Sequence, residues 1–140
     1  MMAANWYKDG EIFTEADIGD NIGFIYEITN LLDGRKYIGK KLFRFSRKKP
    51  PLKGQKRKRK EIIQSDWDSY YSSSKTLQED VSKLGPENFH REILRLCKTK
   101  PEMSYYEIKE QIDREVLFDD QYYNGFIGCR INGKHLKISK

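Results

Sequence analysis

The 140-residue sequence has no apolar run long enough to cross a membrane. A membrane-spanning helix needs about 20 mostly apolar residues, and the N-terminus also lacks the basic and then apolar stretch of a secretory signal. We therefore expect a soluble, cytoplasmic protein that does not act on membranes.

Cysteine is scarce as well, with only Cys97 and Cys129 in the whole chain. They are far apart and belong to no CxxC pair, which argues against a zinc site or a disulfide framework and suits a reducing compartment. The chain also has no glycine-rich phosphate loop, no Ser-His-Asp arrangement and no internal repeat. With 37% hydrophobic residues and nine tyrosines, we predict one domain, residues 1–140, with a modest core.

Positive charge is abundant but concentrated in one segment. Residues 40–60 contain twelve Lys or Arg and no acid, and the rest of the chain has 15 basic and 21 acidic residues. A patch this dense favours a polyanion such as a phosphate backbone, and a solvated or nuclear-targeting tract is the alternative. The candidate DNA contacts are Lys40, Arg44, Lys53, Arg57, Lys58, Arg59 and Lys60.

Apolar alternation predicts an early β-hairpin made of residues 23–29 and 36–43, with its turn at Asp33-Gly34. Tyr26 falls on the same face as Phe24 and Ile28, whereas Ile38 points away from the face that carries Tyr37. A glycine at position 39 would leave open space beside Tyr37.

The remaining pattern predicts two helices and further strands. One helix begins at the N-cap Ser74 and ends at Gly85, and a second runs from Ser104 to about residue 118. Leu77, Val81 and Leu84 form the apolar face of the first helix, and Tyr105, Ile108, Ile112 and Val116 form that of the second. Residues 89–96 read as a strand, 6–13 as a hairpin or extended arm, 44–60 as partly loop, and Asn132-Gly133 as the centre of a last strand pair.

The first hairpin resembles the signature of the GIY-YIG nucleases. Phe24-Ile25-Tyr26 stands in the place of the first triad and departs from it at Phe24, whereas Tyr37-Ile38-Gly39 matches the second triad. Matches at 71–74 and at Tyr123-Asn124 extend the resemblance over residues 23–124. The Lys-Lys after YIG and the Pro-Pro-Leu-Lys-Gly stretch are most similar to small phage-encoded Seg-type homing endonucleases.

This resemblance implies an α+β fold with a central antiparallel three-stranded sheet, flanking helices and a basic insertion after the first hairpin. Residues 1–22 would then form an N-terminal arm and 125–140 a β-rich tail around a core of 23–124. The implied activity is Mg²⁺- or Mn²⁺-dependent hydrolysis of DNA, expected to be double-stranded, in the cytosol of a bacterium or a phage-infected host. A non-catalytic nucleic-acid-binding module and a binding or inhibitor protein that has reused the fold are the alternatives.

The resemblance also implies roles for individual residues. Tyr26 would accept the proton of the attacking water, with neighbouring cations favouring its phenolate, and Tyr37 would orient the water or the phosphate. Arg47 would meet the phosphoryl charge, although counting from the serine run points to Arg59, and Arg44 and Arg57 stay open as well.

The expected metal ligand is Glu107, with Glu110 and Glu115 as the other carboxylates of the same helix. Asn124 matches a recurring asparagine that could brace the site. No histidine follows the expected arginine, so a general-acid or phosphate-contact role falls to Lys41 or Tyr71.

Overall fold

The computed structural model describes residues 5–128, which form two sheets and two α-helices. The strands are β1 (Trp6–Lys8), β2 (Glu11–Phe13), β3 (Gly23–Asn30), β4 (Lys36–Leu42), β5 (Arg44–Lys49), β6 (Arg59–Gln64) and β7 (Phe89–Cys97). The helices are α1 (Lys75–Leu84) and α2 (Lys100–Asp113), and short 3₁₀ turns cover Glu15–Asp17, Trp67–Ser69, Pro86–Asn88 and Val116–Phe118. Within the described residues, no helix is long and apolar enough to span a membrane.

The main sheet has five strands in the order β2-β1-β7-β3-β4, not the three that were predicted. The antiparallel trio β7-β3-β4 is present, but β1 adds to it in parallel with β7 and carries β2 along. Trp6 explains the extension, because its ring is almost fully buried edge-on against Phe24 and Tyr26. Burying an aromatic ring this large stabilises the docked N-terminal hairpin.

Alternation along β3 divides the core into two layers, as the sequence predicts. Phe24, Tyr26 and Ile28 face a cluster under α1, whereas Ile25 and Ile38 face α2. The start and the stop predicted for α1 are confirmed. The Ser74 hydroxyl accepts a hydrogen bond from the backbone N–H of Leu77 (3.3 Å), and the helix ends at residue 85 with a positive φ of 97° that suits glycine.

The boundaries and the buried face of α2 differ from the prediction. The helix begins after Thr99, which accepts a hydrogen bond from the N–H of Glu102, and not after Ser104. A proline in its first turn is typical of a helix start. Ile112 is exposed; the inner face instead carries Met103, Glu107 and Gln111, spaced four residues apart. This face meets the outer edge of β4, where the Ile38 carbonyl accepts a hydrogen bond from Gln111.

The basic segment, predicted as partly loop, forms a separate two-stranded hairpin of β5 and β6. Residues 50–58 form its tip, and almost every residue of the hairpin is exposed. The backbone N–H of Ser65 donates to the carbonyl of Phe43 (2.9 Å), which closes the base of the hairpin against the core. The strand pair predicted around Asn132-Gly133 lies outside the described residues.

Candidate active site

Tyr26 and Tyr37 meet at a glycine on the outer edge of the sheet. Tyr26 pairs with Gly39 across the β3–β4 ladder, and the two phenol rings lie 6.1 Å apart between their centroids. A Cβ atom at position 39 would lie 2.6 Å from Cζ of Tyr26 and 2.9 Å from Cε2 of Tyr37. Only glycine therefore lets the two phenols approach each other in this way.

A third phenol, Tyr70, completes the cluster and was not predicted from the sequence. Its ring lies edge-on to that of Tyr26 with centroids 6.0 Å apart. The hydroxyl of Tyr37 lies 3.4 Å from Oγ of Ser73. Tyr70 and Ser73 lie on either side of Tyr71 and Ser72 in the sequence. The resemblance of residues 71–74 to the nuclease pattern was the feature of the sequence that pointed to this segment.

The phenols are poor acids in this setting. Burial raises the pKa of Tyr26 well above its ordinary value, and neighbouring Tyr70 and Tyr37 raise it further. Burial likewise raises the pKa of Tyr37 and of Tyr70. In the resting protein burial favours the neutral phenol of Tyr26, so the expectation that nearby cations favour its phenolate stays a prediction for the substrate complex.

Lys41 lies against the cluster from the C-terminal end of β4. Its ammonium sits 4.0 Å from the ring centroid of Tyr70 and 2.6 Å from Oδ1 of Asp66. The hydrogen bond from Lys41 holds the pKa of Asp66 below its usual value. Lys41 therefore contacts the third phenol, Tyr70, and its charge is partly balanced by Asp66.

Glu107 reaches Lys40, the residue after Gly39, from α2. Its side chain is only 15% exposed, and its Oε1 lies 3.8 Å from Nζ of Lys40. Burial raises the pKa of Glu107, and Lys40 opposes that shift. The carboxylate is close enough for its charge to raise the pKa of both Tyr26 and Tyr37.

The other two candidate carboxylates of this helix region point elsewhere. Glu110 pairs with Arg114 at 3.0 Å, and Glu115 is exposed in a left-handed conformation with φ of 52°. Of the three, Glu107 is therefore the one that the structure brings to the tyrosines.

The donor set at Glu107 suits a magnesium ion that is shared with substrate. No cluster of three or more Asp, Glu, His or Cys side chains that could hold a metal occurs within residues 5–128. A complete protein cage is thus not formed there, but Mg²⁺ commonly uses one or two carboxylates together with water and substrate phosphate oxygens. Glu107 offers one such oxygen ligand, beside a lysine that would also attract phosphate.

Asn124 holds β4 in place through the backbone of Ile38. Its Oδ1 accepts from the Ile38 N–H (3.0 Å), and its Nδ2 donates to the Ile38 carbonyl (2.8 Å). Gln111 donates to the same carbonyl at 3.0 Å. Because Ile38 lies between Tyr37 and Gly39, these amides fix the strand that carries the second tyrosine.

The structure does not bring Arg47 to the tyrosine cluster. Its side chain is 63% exposed on β5 and pairs with Glu61 at 3.1 Å. Arg44 donates to the carbonyl of Gly19 (3.0 Å), and Arg59 donates to that of Pro50 (3.4 Å). The other predicted DNA contacts on the hairpin are exposed, namely Lys53, Arg57, Lys58 and Lys60.

Tyr71 is likewise turned away from the two signature tyrosines. The guanidinium of buried Arg91 lies 4.4 Å from the Tyr71 ring centroid and 4.6 Å from that of Trp6. Arg91 also donates to the carbonyls of Asp68 (2.8 Å) and Tyr70 (3.0 Å), which anchors the segment before α1. Tyr71 thus packs in the support of the site, whereas its neighbour Tyr70 faces Tyr26.

Comparison with known proteins gives two matches. A family model described as "Putative endonuclease segE, GIY-YIG domain" matches residues 6–127. Over 101 residues the chain is 36% identical to a protein of Enterobacteria phage T4 named "Putative endonuclease segE". That match covers 72% of this chain but 39% of the phage protein, so the chain spans well under half of that relative's length. No solved structure matches the chain significantly.

Proposed function

Because the chain belongs to the SegE GIY-YIG family, we propose that it is a divalent-metal-dependent endonuclease that hydrolyses phosphodiester bonds of double-stranded DNA. The observation that carries the proposal is the meeting of two signature phenols and one shielded carboxylate around Gly39. Neither stability nor simple packing requires a carboxylate at the rim of a phenol cluster.

In this proposal the scissile phosphate lies over Gly39, between the phenols and Glu107. Lys40 and Lys41 follow Gly39 directly on β4, so their ammonium groups would offset charge on the phosphoryl oxygens. A divalent cation bound by Glu107 would supply further charge neutralisation and an activated water. Asn124 keeps the strand in register while substrate binds.

A tyrosine serves as the base, and the proposal assigns this task to Tyr26 with Tyr37 orienting the water. Both phenols are neutral at rest because burial raises the pKa of each. Tyr26 would thus act as a base only in the substrate complex, where added cationic charge lowers its pKa again. Tyr37 is the more exposed of the two and so meets the phosphate first.

Arg47 remains our candidate for the arginine that meets the phosphoryl charge, although its partner in this structure is Glu61. The hairpin that carries it would have to swing toward Gly39 when DNA binds. If the hairpin stays where it is, Lys41, near the C-terminal end of β4, takes this task.

The proposal is tested by incubating supercoiled plasmid with the purified chain, with and without EDTA, beside Tyr26→Phe, Tyr37→Phe and Glu107→Ala. We expect nicking that needs added Mg²⁺ or Mn²⁺, and a loss of at least about 100-fold in each variant. Glu110→Ala is the matched control and keeps its activity. Sequencing of the cut ends then shows whether cleavage is confined to defined sites, as a homing-type enzyme requires.

Full activity of Glu107→Ala, or nicking that EDTA does not reduce, would disprove the metal-dependent mechanism. Salt-sensitive DNA binding without cleavage on any DNA form would support the non-catalytic binding module instead. The experiment therefore separates the two functions by their response to a single carboxylate.

A further inference from the structure

The β5–β6 hairpin presents two chemically different faces. Side chains alternate along each strand, so opposite partners in the ladder share a face. One face, called the Phe45 face, consists of Phe45, Arg47, Lys49, Arg59, Glu61 and Ile63. The other, called the Ser46 face, consists of Arg44, Ser46, Lys48, Lys60, Ile62 and Gln64.

The Phe45 face leads directly into the candidate active site. A cavity of about 480 Å³ lies at the base of the hairpin, and its walls include Lys40, Lys41 and Asp66 of the site. Phe45 lines the same cavity and remains 40% exposed. A polymer that leaves the site on this side therefore passes along the Phe45 face.

The Ser46 face turns toward the N-terminal part of the chain. A second cavity, of about 350 Å³, lies at its base between Ile62 and residues Glu15, Ile18 and Gly19. Arg44 is anchored there by its hydrogen bond to the carbonyl of Gly19. This face thus opens onto a different surface, with an acid at its edge.

Both faces of the hairpin carry three cations, so charge suits a phosphate backbone on either face and the cavity beside Phe45 decides between them. Arg47 and Lys49 share the single acid of this face, Glu61, at 3.1 and 2.8 Å. Arg59 stands directly opposite Lys49 in the ladder, so the outer end of this face carries more cations than one carboxylate can balance. Cations placed side by side in a ladder repel each other until a counter-charge binds.

The dimensions of the hairpin match a DNA groove. Each strand has six residues, which at about 3.3 Å per residue gives a ribbon about 20 Å long with its two strands about 4.8 Å apart. The major groove of B-form DNA is about 12 Å wide and admits a two-stranded ribbon. Residues 50–58, at the far end, add four more cations, Lys53, Lys56, Arg57 and Lys58.

On the basis of the proposed nuclease function, we propose that the β5–β6 hairpin lies in the major groove of duplex DNA next to the cleaved bond, with its Phe45 face toward the DNA. The substrate is then a continuous duplex on the hairpin side of the cut. A single strand has no groove and is held only by its charge.

Two double variants on adjacent rungs of the ladder test the choice of face. Lys49→Gln/Arg59→Gln alters the Phe45 face, and Lys48→Gln/Lys60→Gln alters the Ser46 face with the same loss of charge. Binding to a short duplex is measured without divalent metal over a range of KCl concentrations. We expect the first to weaken binding about tenfold and to lower the salt slope by about 2. Although the sequence predicts Lys60 as a DNA contact, in the proposed arrangement it lies on the face turned away from DNA, so we expect the second to weaken binding less than about threefold.

Chemical protection of the unmodified protein's complex tests the groove. Dimethyl sulfate methylates guanine N7 in the major groove and adenine N3 in the minor groove, so we expect protection at N7 beside the cut and none at N3. Equal effects of the two double variants, absence of N7 protection, or equal affinity for single strands would each overturn the inference. Because binding is measured without metal, a chain that binds in this way but never cuts would refute only the nuclease proposal.

Discussion

Gly39 sets the geometry of the candidate site at the scale of a single residue. The missing side chain leaves room for the Tyr26 phenol on one side and the Tyr37 ring on the other. Both phenols are held neutral by burial, so their chemistry depends on small changes in the charges around them. One methyl group, or one displaced ammonium, should therefore have a large effect.

We expect Gly39→Ala to destabilise the fold by about 1–3 kcal/mol, because the new methyl overlaps Tyr26 and Tyr37 in a packed site. Nicking activity should fall by a larger factor than stability alone explains, since both phenols must shift. Urea unfolding and plasmid nicking measure the two effects. Gly125→Ala is the control, since a Cβ there meets no atom within 4 Å; equal behaviour of the two variants would contradict the packing argument.

Lys40 should set the acid limb of the activity profile. Burial raises the pKa of Glu107 and Lys40 lowers it, so Lys40→Met should raise it further. If Glu107 acts as an ionised ligand, the acid limb of the pH–rate profile then moves to higher pH. Lys36→Met is the matched control, because Lys36 pairs in the same way with Glu27, which is 14% exposed. If the acid limb of the pH–rate profile does not move in Lys40→Met, the ionisation that limits the rate at low pH is not that of Glu107.

At the scale of elements, the outer edge of β4 is completed by side chains where a neighbouring strand would otherwise pair. The Asn124 amide makes both a donated and an accepted hydrogen bond with Ile38, as an adjacent strand would. Gln111 of α2 adds a third bond at the same residue. These contacts satisfy buried backbone groups of β4, while the side chain of Lys40, further along the strand, stays partly exposed.

We expect Asn124→Asp to destabilise the chain by about 1–3 kcal/mol, because a carboxylate oxygen replaces the donor that faces the Ile38 carbonyl. Activity should fall with it, since β4 carries Tyr37. Thermal unfolding and nicking assays check both. Asn21→Asp is the control: Asn21 also donates to a backbone carbonyl, that of Ile18, but at a partly exposed site, so a similar loss there would argue against a special role of Asn124.

Local signals were enough to predict the first hairpin, the limits of α1 and the strand that became β7. The buried face of α2 was not predictable in this way, because Gln111 and Glu107 point inward to serve a strand edge that is remote in sequence. Tyr70 was missed for the same reason: its contact with Tyr26 joins segments more than forty residues apart. The strands β5 and β6 were not predicted because Phe45, Ile62 and Ile63 are their only large apolar residues, too few to show an alternating pattern among the charges.

The signature pattern led to residues that the fold does assemble. Tyr26 and Tyr37 lie against Gly39 and Glu107 lies beside Lys40, the next residue. Arg47, by contrast, lies on β5 and pairs with Glu61. A count of residues predicts position only when the intervening chain keeps the expected structure, and here a two-stranded hairpin follows β4 directly. The catalytic roles themselves stay predictions until variants are measured.

The whole molecule consists of an acidic body with a basic hairpin attached. Excising residues 45–63 removes nine Lys or Arg and one Glu, which turns the formal net charge from +6 to −2. Arg44 and Gln64 are ladder partners, so a two-residue turn can join them. The core layers around Phe24 and Ile25 contain no residue of the excised range.

We expect this excision to change the free energy of unfolding by no more than about 1 kcal/mol, because the removed side chains are mostly exposed. DNA affinity at moderate salt should fall at least about 100-fold with the loss of the cations. Urea unfolding and fluorescence anisotropy measure the two quantities. A large loss of stability would show that the hairpin is part of the core, and retained affinity would place the DNA elsewhere.

The sheet is completed by segments that lie far apart in the sequence, and this affects when it can form during synthesis of the chain. Trp6 pairs with Arg91 on β7, and the backbone N–H of Ile38 donates to the side-chain amide of Asn124, 86 residues further along the chain. A ribosome therefore releases both signature tyrosines long before the partners that position them. We therefore expect a nascent chain to hold the strand of Tyr37 firmly only once Asn124 has been synthesised, because shorter chains lack both amide hydrogen bonds to Ile38.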